Sequence, residues 1–294
     1  MEFFMTMIKH EKEYELYHYH ESLCSQMVRL ALEEKAIPWK SHPVMLNDVV
    51  LHGENFTPGY LEINPKGFVP TLVHNGMPIY DAWTIIDYLD VNNPGSGTAL
   101  TPMDPDNRKK MRELIRQASL DESRSFGVSL GMAIPILSAP VIRQCIKQQP
   151  FFQFWWKYRK HPVFDRRWGA RAVTLMPVPR IISRKSVNTV GKALAKIEQD
   201  LAHGEEYYLG EFCQIDIMIM AHFHRIEDVA LGSLLRDPEL PNIASYWERL
   251  QRRQTYAKAV TEWHEPTWRN SLEVVFGSRA SPELREIRKI ALNR

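Results

Sequence analysis

The sequence predicts a compact α/β domain of about ninety residues, followed by a longer all-helical domain. Three observations carry this. Within the first 46 residues the apolar pattern changes from strand alternation to helical spacing and back. Asn92–Pro102 is then punctuated by Pro94, Gly95 and Gly97, as a linker is. Beyond it only the helical period recurs, and 294 residues are long for one core and ordinary for two.

Glu15–Tyr19 alternates and is rich in tyrosine, so it reads as a strand. Cys24, Met27, Val28, Ala31 and Leu32 share one face of a helix that Pro38 closes. Trp39–Leu46 supplies a second strand, which makes a right-handed, parallel β-α-β start. The turn Asn64-Pro65-Lys66-Gly67 leads into a short strand, Val69–Val73, with its proline in an early position. Asn75-Gly76 is a type I′ hairpin signal into Pro78-Ile79-Tyr80, and Asp81 caps a helix to about Val91.

In the second half, Val190, Leu194, Ile197 and Leu201 form one amphipathic face, closed by Gly204 at C′. Ile215–Leu231 is apolar on nearly every side and reads as the central helix, with Cys213 and Asp216 spaced as a capping box. The tail from Ser281 is amphipathic through Leu284, Ile287 and Ala291, and is expected to pack on the body or on a partner subunit. The expected division is 13–92 for the first domain, 93–103 for the linker, 104–277 for the helical domain with an insertion over 127–187, and 278–294 for the tail.

Composition excludes several classes. A hydrophobic fraction of 44% with 24% charged residues is globular rather than disordered. A net charge of +2 gives no chain-wide basic field, so nucleic acid is not expected as a partner. The longest uncharged stretch, Gly127–Ile142, is broken by Pro135 and Pro140 and is too short to span a bilayer. Three widely spaced cysteines, and no signal-peptide character in Met1–Lys12, point to a reducing, cytoplasmic setting. No metal site is expected. His18 and His20 lack a third ligand nearby, and His222 and His224 point to different sides of a helix.

Three segments could carry chemistry. In Ser22-Leu23-Cys24-Ser25 a thiol and hydroxyls stand in the first turn of a helix, facing backbone N–H groups and the positive end of the dipole. That setting favours a thiolate, either of Cys24 or of a bound ligand. From these residues alone, Cys24 is equally read as a packed small hydrophobe and Ser22 as a cap. A cis bond at Val69-Pro70 would turn backbone N–H and C=O groups outward for an extended peptide. Asp81-Ala82 at a helix start could receive the charged ends of an amino-acid-like ligand, although Asp81 alone is more often an N-cap.

Taken together, these segments resemble a known family. Tyr14–Arg29 (YELYHYHESLCSQMVR), Tyr60–Leu72 (YLEINPKGFVPTL) and Tyr80–Leu89 (YDAWTIIDYL) resemble the glutathione-transferase N-terminal domain. Tyr208–Ile217, Leu240–Ile243 and Trp247–Ala257 are similar to the helical half of that family. The resemblance implies a thioredoxin-like α/β domain plus an all-α C-terminal bundle, with glutathione as cofactor. It is nearest the zeta-like branch, which includes reductive dehalogenases of the tetrachlorohydroquinone type and maleylacetoacetate isomerases. There is some likeness to bacterial β-aryl etherases and, in layout, to the ganglioside-induced differentiation-associated proteins.

Carried over residue by residue, the resemblance implies that Ser22 assists the glutathione thiolate and that Cys24 matches the redox cysteine of the dehalogenases. It implies that Ser25, Asn55, Val69, Pro70, Asp81 and Ala82 bind the tripeptide. Most members have serine where Ala82 stands, so one hydrogen bond to the γ-glutamyl carboxylate is lost. That bond is worth ~1.5–3 kcal/mol, a weakening of about ten-fold or more.

The second departure is the insertion. Its Phe151–Arg171 stretch is dense in aromatics, Arg and Lys. It reads as a lining for an aromatic second substrate, as a segment lying on an anionic membrane surface, or as packed elaboration with solvated charges. Membrane contact is not the favoured reading of the three. The function implied is a glutathione-dependent transferase or lyase acting on an electrophilic aromatic substrate. It would form or exchange thioethers, as in β-aryl ether cleavage or reductive dehalogenation, and it would act as a homodimer. The alternative is a non-catalytic, membrane-associated adaptor of the same fold.

Overall fold

A computed structural model describes residues 7–50, 52–119, 127–159, 161–164, 167, 172 and 176–293. The expected alternation at the N-terminus gives β1 (Tyr14–His18), with Tyr14 and Leu16 buried. The chain turns through Tyr19–Ser22 into α1 (Leu23–Glu34), whose apolar face is the one expected from Met27, Val28, Ala31 and Leu32. β2 is shorter than expected, Lys40–Pro43, because its partner β1 ends at His18, opposite Pro43, and the Trp39 ring packs near His18 and Trp263 just before the strand. α2 (Pro58–Ile63) has proline in its first turn and puts the Tyr60 ring 6.1 Å from that of Tyr17.

β3 runs over Thr71–His74, after the Val69-Pro70 bond, which is cis. The hairpin turn is as expected. Asn75 and Gly76 have φ of 48° and 82°, the positive values a type I′ turn needs, before β4 (Met77–Tyr80). α3 (Ala82–Asn92) completes the unit. The sheet order is β2-β1-β3-β4, with β1 parallel to β2 and the other pairs antiparallel.

The second half is helical. α4 (Pro105–Ala118), α5 (Leu130–Leu137), α6 (Ala139–Lys147) and α7 (Phe151–Tyr158) precede α8 (Arg180–Asp200) and the central α9 (Gln214–Ile226). α10 (Pro241–Gln251), α11 (Gln254–Tyr256), α12 (Pro266–Val275) and α13 (Leu284–Ala291) follow. Every residue of α9 is buried, and Asp216 Oδ2 accepts the Cys213 N–H at 2.8 Å in the capping box. The regular helix ends at Ile226, short of Leu231, because the backbone turns to φ 58° at Ala230.

Gly204 is left-handed at φ 80° and closes the helix run begun by α8. The tail packs on the body, with Ile287 fully buried. A Cβ on Gly191 of α8 would stand 2.7 Å from the Ile290 side chain, so glycine is what lets α13 approach.

The expected insertion divides in two. α5 and α6 bury Ala133, Ile134, Val141 and Cys145 in the main core, whereas α7 builds a small separate cluster from Phe154, Tyr158 and Ile146. Within the aromatic stretch, residues 160, 165, 166 and 168–171, Arg171 among them, lie outside the described residues, as do the first six residues of the chain. Among the described residues no helix is long and apolar enough to cross a membrane.

Polar groups join the halves. Arg29 of α1 is fully buried, donating to Ala259 O at 2.6 Å and His20 O at 2.8 Å, and burial pushes its pKa down to about 9. Arg253 grips Glu34 with two bonds of 2.7 and 2.6 Å, while its guanidinium carbon lies 3.9 Å from the Phe212 ring centre.

Candidate functional site

Strand register brings the site together. Tyr17 is paired with Thr71, and Thr71 with Tyr80, so these three residues form one row across the sheet. The chain leaving Tyr17 runs into His18–Ser22, the chain entering Thr71 comes from Val69-Pro70, and the chain leaving Tyr80 becomes Asp81-Ala82. Because β1 and β4 are both antiparallel to β3, all three segments lie at the same end of the sheet. Two helix N-termini, those of α1 and α3, open at that end, which makes it electropositive.

Ser22 is the N-cap of α1. Its Oγ accepts the Ser25 N–H at 3.3 Å, and its carbonyl takes the Gln26 N–H at 2.8 Å. A hydroxyl used this way as an acceptor still has its own proton to donate to an anion. Ser22 and Cys24 are both half-buried. None of the three cysteines is in a disulfide. Cys145 is inert by comparison, since burial raises its pKa to about 11 and its Sγ lies 3.2 Å from Ser271 Oγ.

Asp81 has φ 69° and ψ 127°, a backbone conformation that costs a non-glycine residue of order 1–3 kcal/mol. Its Oδ1 accepts from Trp83 N at 3.0 Å, Thr84 N at 3.1 Å and Thr84 Oγ1 at 3.4 Å. All three bonds use one oxygen. Oδ2 of this exposed side chain bonds to none of the described residues and faces solvent chemistry. The capping bonds also leave the Ala82 N–H, at the first position of α3, unused.

Two residues expected to touch a ligand face inward instead. Ser25 is fully buried, and its Oγ accepts the Tyr19 N–H at 3.3 Å. Asn55 is also buried. Its Oδ1 accepts from Asn47 N at 3.0 Å and Asn47 Nδ2 at 2.7 Å, and its Nδ2 donates to Gly67 O at 3.1 Å. Both position the loops around the site rather than line it, because their side-chain polar groups are spent on the backbone. Asn64 acts similarly, donating to Phe68 O at 3.0 Å and Thr71 Oγ1 at 2.9 Å, and so bracing the segment that ends at Val69.

The helical half closes one side. His161 is buried with its ring 4.6 Å from Phe56 and 5.8 Å from Phe68, next to Val69. Behind Ser22, the Glu21 carboxylate is buried and accepts the Glu265 N–H at 3.1 Å. Burial, with Asp228 nearby, pushes its pKa up to about 7. Ligand atoms of Glu21, His224 and Asp228 lie within 4.8 Å of one another. Arg225 and Arg269 stand 3.4 and 3.3 Å from the Asp228 carboxylate, so two guanidiniums already balance the acids. This cluster was not evident from sequence, because Glu21 meets partners about two hundred residues away.

The arrangement defines a class of protein: a thioredoxin-like domain that presents a helix-capping serine, a cis-proline and an acidic helix start, joined to a helical domain. Residues 21–92 match the glutathione S-transferase N-terminal domain family. A zeta-class glutathione S-transferase from Euphorbia esula is 44% identical over 79 residues, 27% of this chain and 33% of that protein. The chain thus matches only about a third of the length of that relative. "Glutathione S-transferase TCHQD" from Arabidopsis thaliana is 25% identical over 270 residues, covering 89% of this chain and 94% of that one. Among solved structures, beta-etherase LigF from Sphingobium sp. strain SYK-6 superposes with a TM-score of 0.72 at 20% identity, over 84% of this chain and 98% of that one. The chain is thus similar to the glutathione S-transferases in its N-terminal domain, and it shares their fold over most of its length.

Proposed function

We propose that the chain is a glutathione-dependent transferase or lyase acting on an electrophilic aromatic compound. The observation that carries this reading is the register that gathers Ser22, Val69-Pro70 and Asp81-Ala82 at one end of the sheet. Glutathione would lie extended along Val69, its γ-glutamyl amine toward Asp81 Oδ2 and its carboxylate on the Ala82 N–H. Its sulfur would be held as thiolate by the Ser22 hydroxyl and the first turn of α1. No separate base is needed, since the fixed donors of the helix start supply the activation.

The thiolate attacks a substrate carbon. A C–S bond forms, and the leaving aryloxide or halide departs with the bonding pair. In the ether-cleaving variant the released phenolate takes a proton from water. In a dehalogenating variant the Cys24 thiolate then attacks the sulfur of the glutathionyl arene. That step makes a mixed disulfide, and the arene carbon keeps the electron pair and is protonated. The similarity to a zeta-class glutathione S-transferase, and in fold to a beta-etherase, supports thiolate chemistry of this kind. A homodimer in a reducing, cytoplasmic setting is part of the same proposal.

The test is turnover of β-aryl ether and halohydroquinone substrates in the presence of glutathione. Release of phenol or halide that depends on glutathione, and falls at least ten-fold in Ser22→Ala, supports the proposal. Turnover indifferent to glutathione or to Ser22 contradicts it.

A non-catalytic reading has one observation in its favour, the methyl group of Ala82 where a hydroxyl would help bind the cofactor. It predicts a folded protein with no affinity for glutathione.

A further inference from the structure

Charge is unevenly distributed along the chain. Residues 127–197 hold thirteen Lys and Arg against one acid, Asp165, a net +12 in a protein whose total is +2. The remaining residues therefore sum to −10.

Exposed aromatic surface is concentrated in the same place. Among the described residues, every exposed Phe or Trp falls within fourteen positions: Phe151 (48%), Phe152 (84%), Trp156 (60%) and Phe164 (65%). α7 is apolar on both sides. Phe154 and Tyr158 face inward and are 1% and 2% exposed, meeting Ile146 and Phe56. Phe152 and Trp156, four residues apart, share the opposite face, where Arg159 lies 4.1 Å over the Trp156 ring. Lys147 is exposed just before this helix, and Arg167 stands 5.9 Å from the Phe164 ring just after it.

A packed core needs only the inner face. Outward-facing Phe and Trp interleaved with Lys and Arg match the interface of a bilayer instead, where rings sit at headgroup level and cations meet anionic lipid. We propose that α7 and the residues flanking it dock this protein on an anionic membrane surface, with Phe152, Trp156 and Phe164 inserted among the headgroups. Charge complementarity selects that occupant. An acidic protein or a nucleic acid would satisfy the cations but leave three large rings without an apolar partner. The proposal is independent of the glutathione chemistry, and the enzyme's activity can fail without affecting it.

The test is co-flotation of the full chain with phosphatidylcholine vesicles, with and without about 30 mol% phosphatidylserine. The expected result is at least ten-fold greater partitioning onto the anionic vesicles, lost between low and high salt. Phe152→Ser with Trp156→Ser should lower partitioning at least ten-fold, and Lys147→Glu with Arg159→Glu should do the same, each keeping the parent melting temperature. No vesicle binding, or equal binding to neutral and anionic vesicles, overturns the proposal. Binding to heparin or RNA without vesicle binding also overturns it, in favour of an acidic macromolecule.

Discussion

Asp81 offers the sharpest separation of fold from function. Its backbone sits at φ 69°, ψ 127°, where only glycine is at ease. If Asp81 were a cap and nothing more, replacing it by glycine would be close to neutral or better. An N-cap Asp→Gly change costs a few tenths of a kcal/mol, whereas release of the strained conformation returns of order 1–3 kcal/mol. The extra freedom of glycine in the unfolded chain takes back about 0.5–1 kcal/mol. The expected net is a stability unchanged or raised by about 1 kcal/mol, a shift in melting temperature of roughly 0 to +3 °C for a chain of this size. Glutathione affinity should move the other way. Loss of a charge-assisted hydrogen bond of ~1.5–3 kcal/mol weakens binding about ten- to hundred-fold. Differential scanning calorimetry and glutathione titration of Asp81→Gly give both numbers. A melting temperature down by several degrees would make Asp81 a structural residue, and unaltered glutathione affinity would remove it from the binding site.

Three further outcomes are expected. Cys24→Ser should abolish any glutathionyl–protein mixed disulfide seen by intact mass while leaving the melting temperature within about 2 °C. Ether cleavage that survives this change together with lost dehalogenation would assign Cys24 to thiol exchange. Glu21→Gln should stabilise the protein at alkaline but not at acidic pH. The Glu21 pKa rises from 4.5 to about 7 on folding. Between those values the native state keeps a proton that the unfolded chain has released, so stability falls as pH rises through the window. By linkage the loss is about 3 kcal/mol, and melting curves at pH 4 and pH 8 measure it. Equal effects at the two pH values would contradict the buried-carboxyl assignment. Arg253→Met should cost about 3 kcal/mol by leaving the buried Glu34 carboxylate, 1% exposed at its side chain, without its partner between the domains. A urea titration reads that loss directly, and an unchanged midpoint would refute the role given to the pair.

Much of this was legible in the sequence, for local reasons. The change of period at Cys24, the Asn75-Gly76 turn and the Asp81 cap are each decided by residues within four positions of one another, so they could be read directly. The site residues at chain turns were also visible, because Ser22 and Asp81 advertise helix starts. Residues whose role depends on distant partners were not. Ser25 and Asn55 look like ligand donors until Tyr19, Asn47 and Gly67 are seen to take their polar groups. Glu21 carries no local signal, and only the fold brings Arg225, Asp228 and Glu265 around it. The second strand was read too long mainly at its far end, because the end of its partner strand at His18, opposite Pro43, cannot be seen in Trp39–Leu46 itself. In α7 the sequence shows the density of aromatic residues but not which of them face out. That depends on packing against Phe56 from the other domain.

The proposed chemistry requires that the end of the sheet holding Ser22 and Asp81 receive glutathione. Calorimetric titration of the purified protein with reduced glutathione at neutral pH tests this most directly. Saturable binding at millimolar affinity or better, weakened in Asp81→Gly, is the result the geometry predicts. No heat and no rise in melting temperature at high millimolar glutathione would contradict it, and would show that the chain keeps the fold without the cofactor.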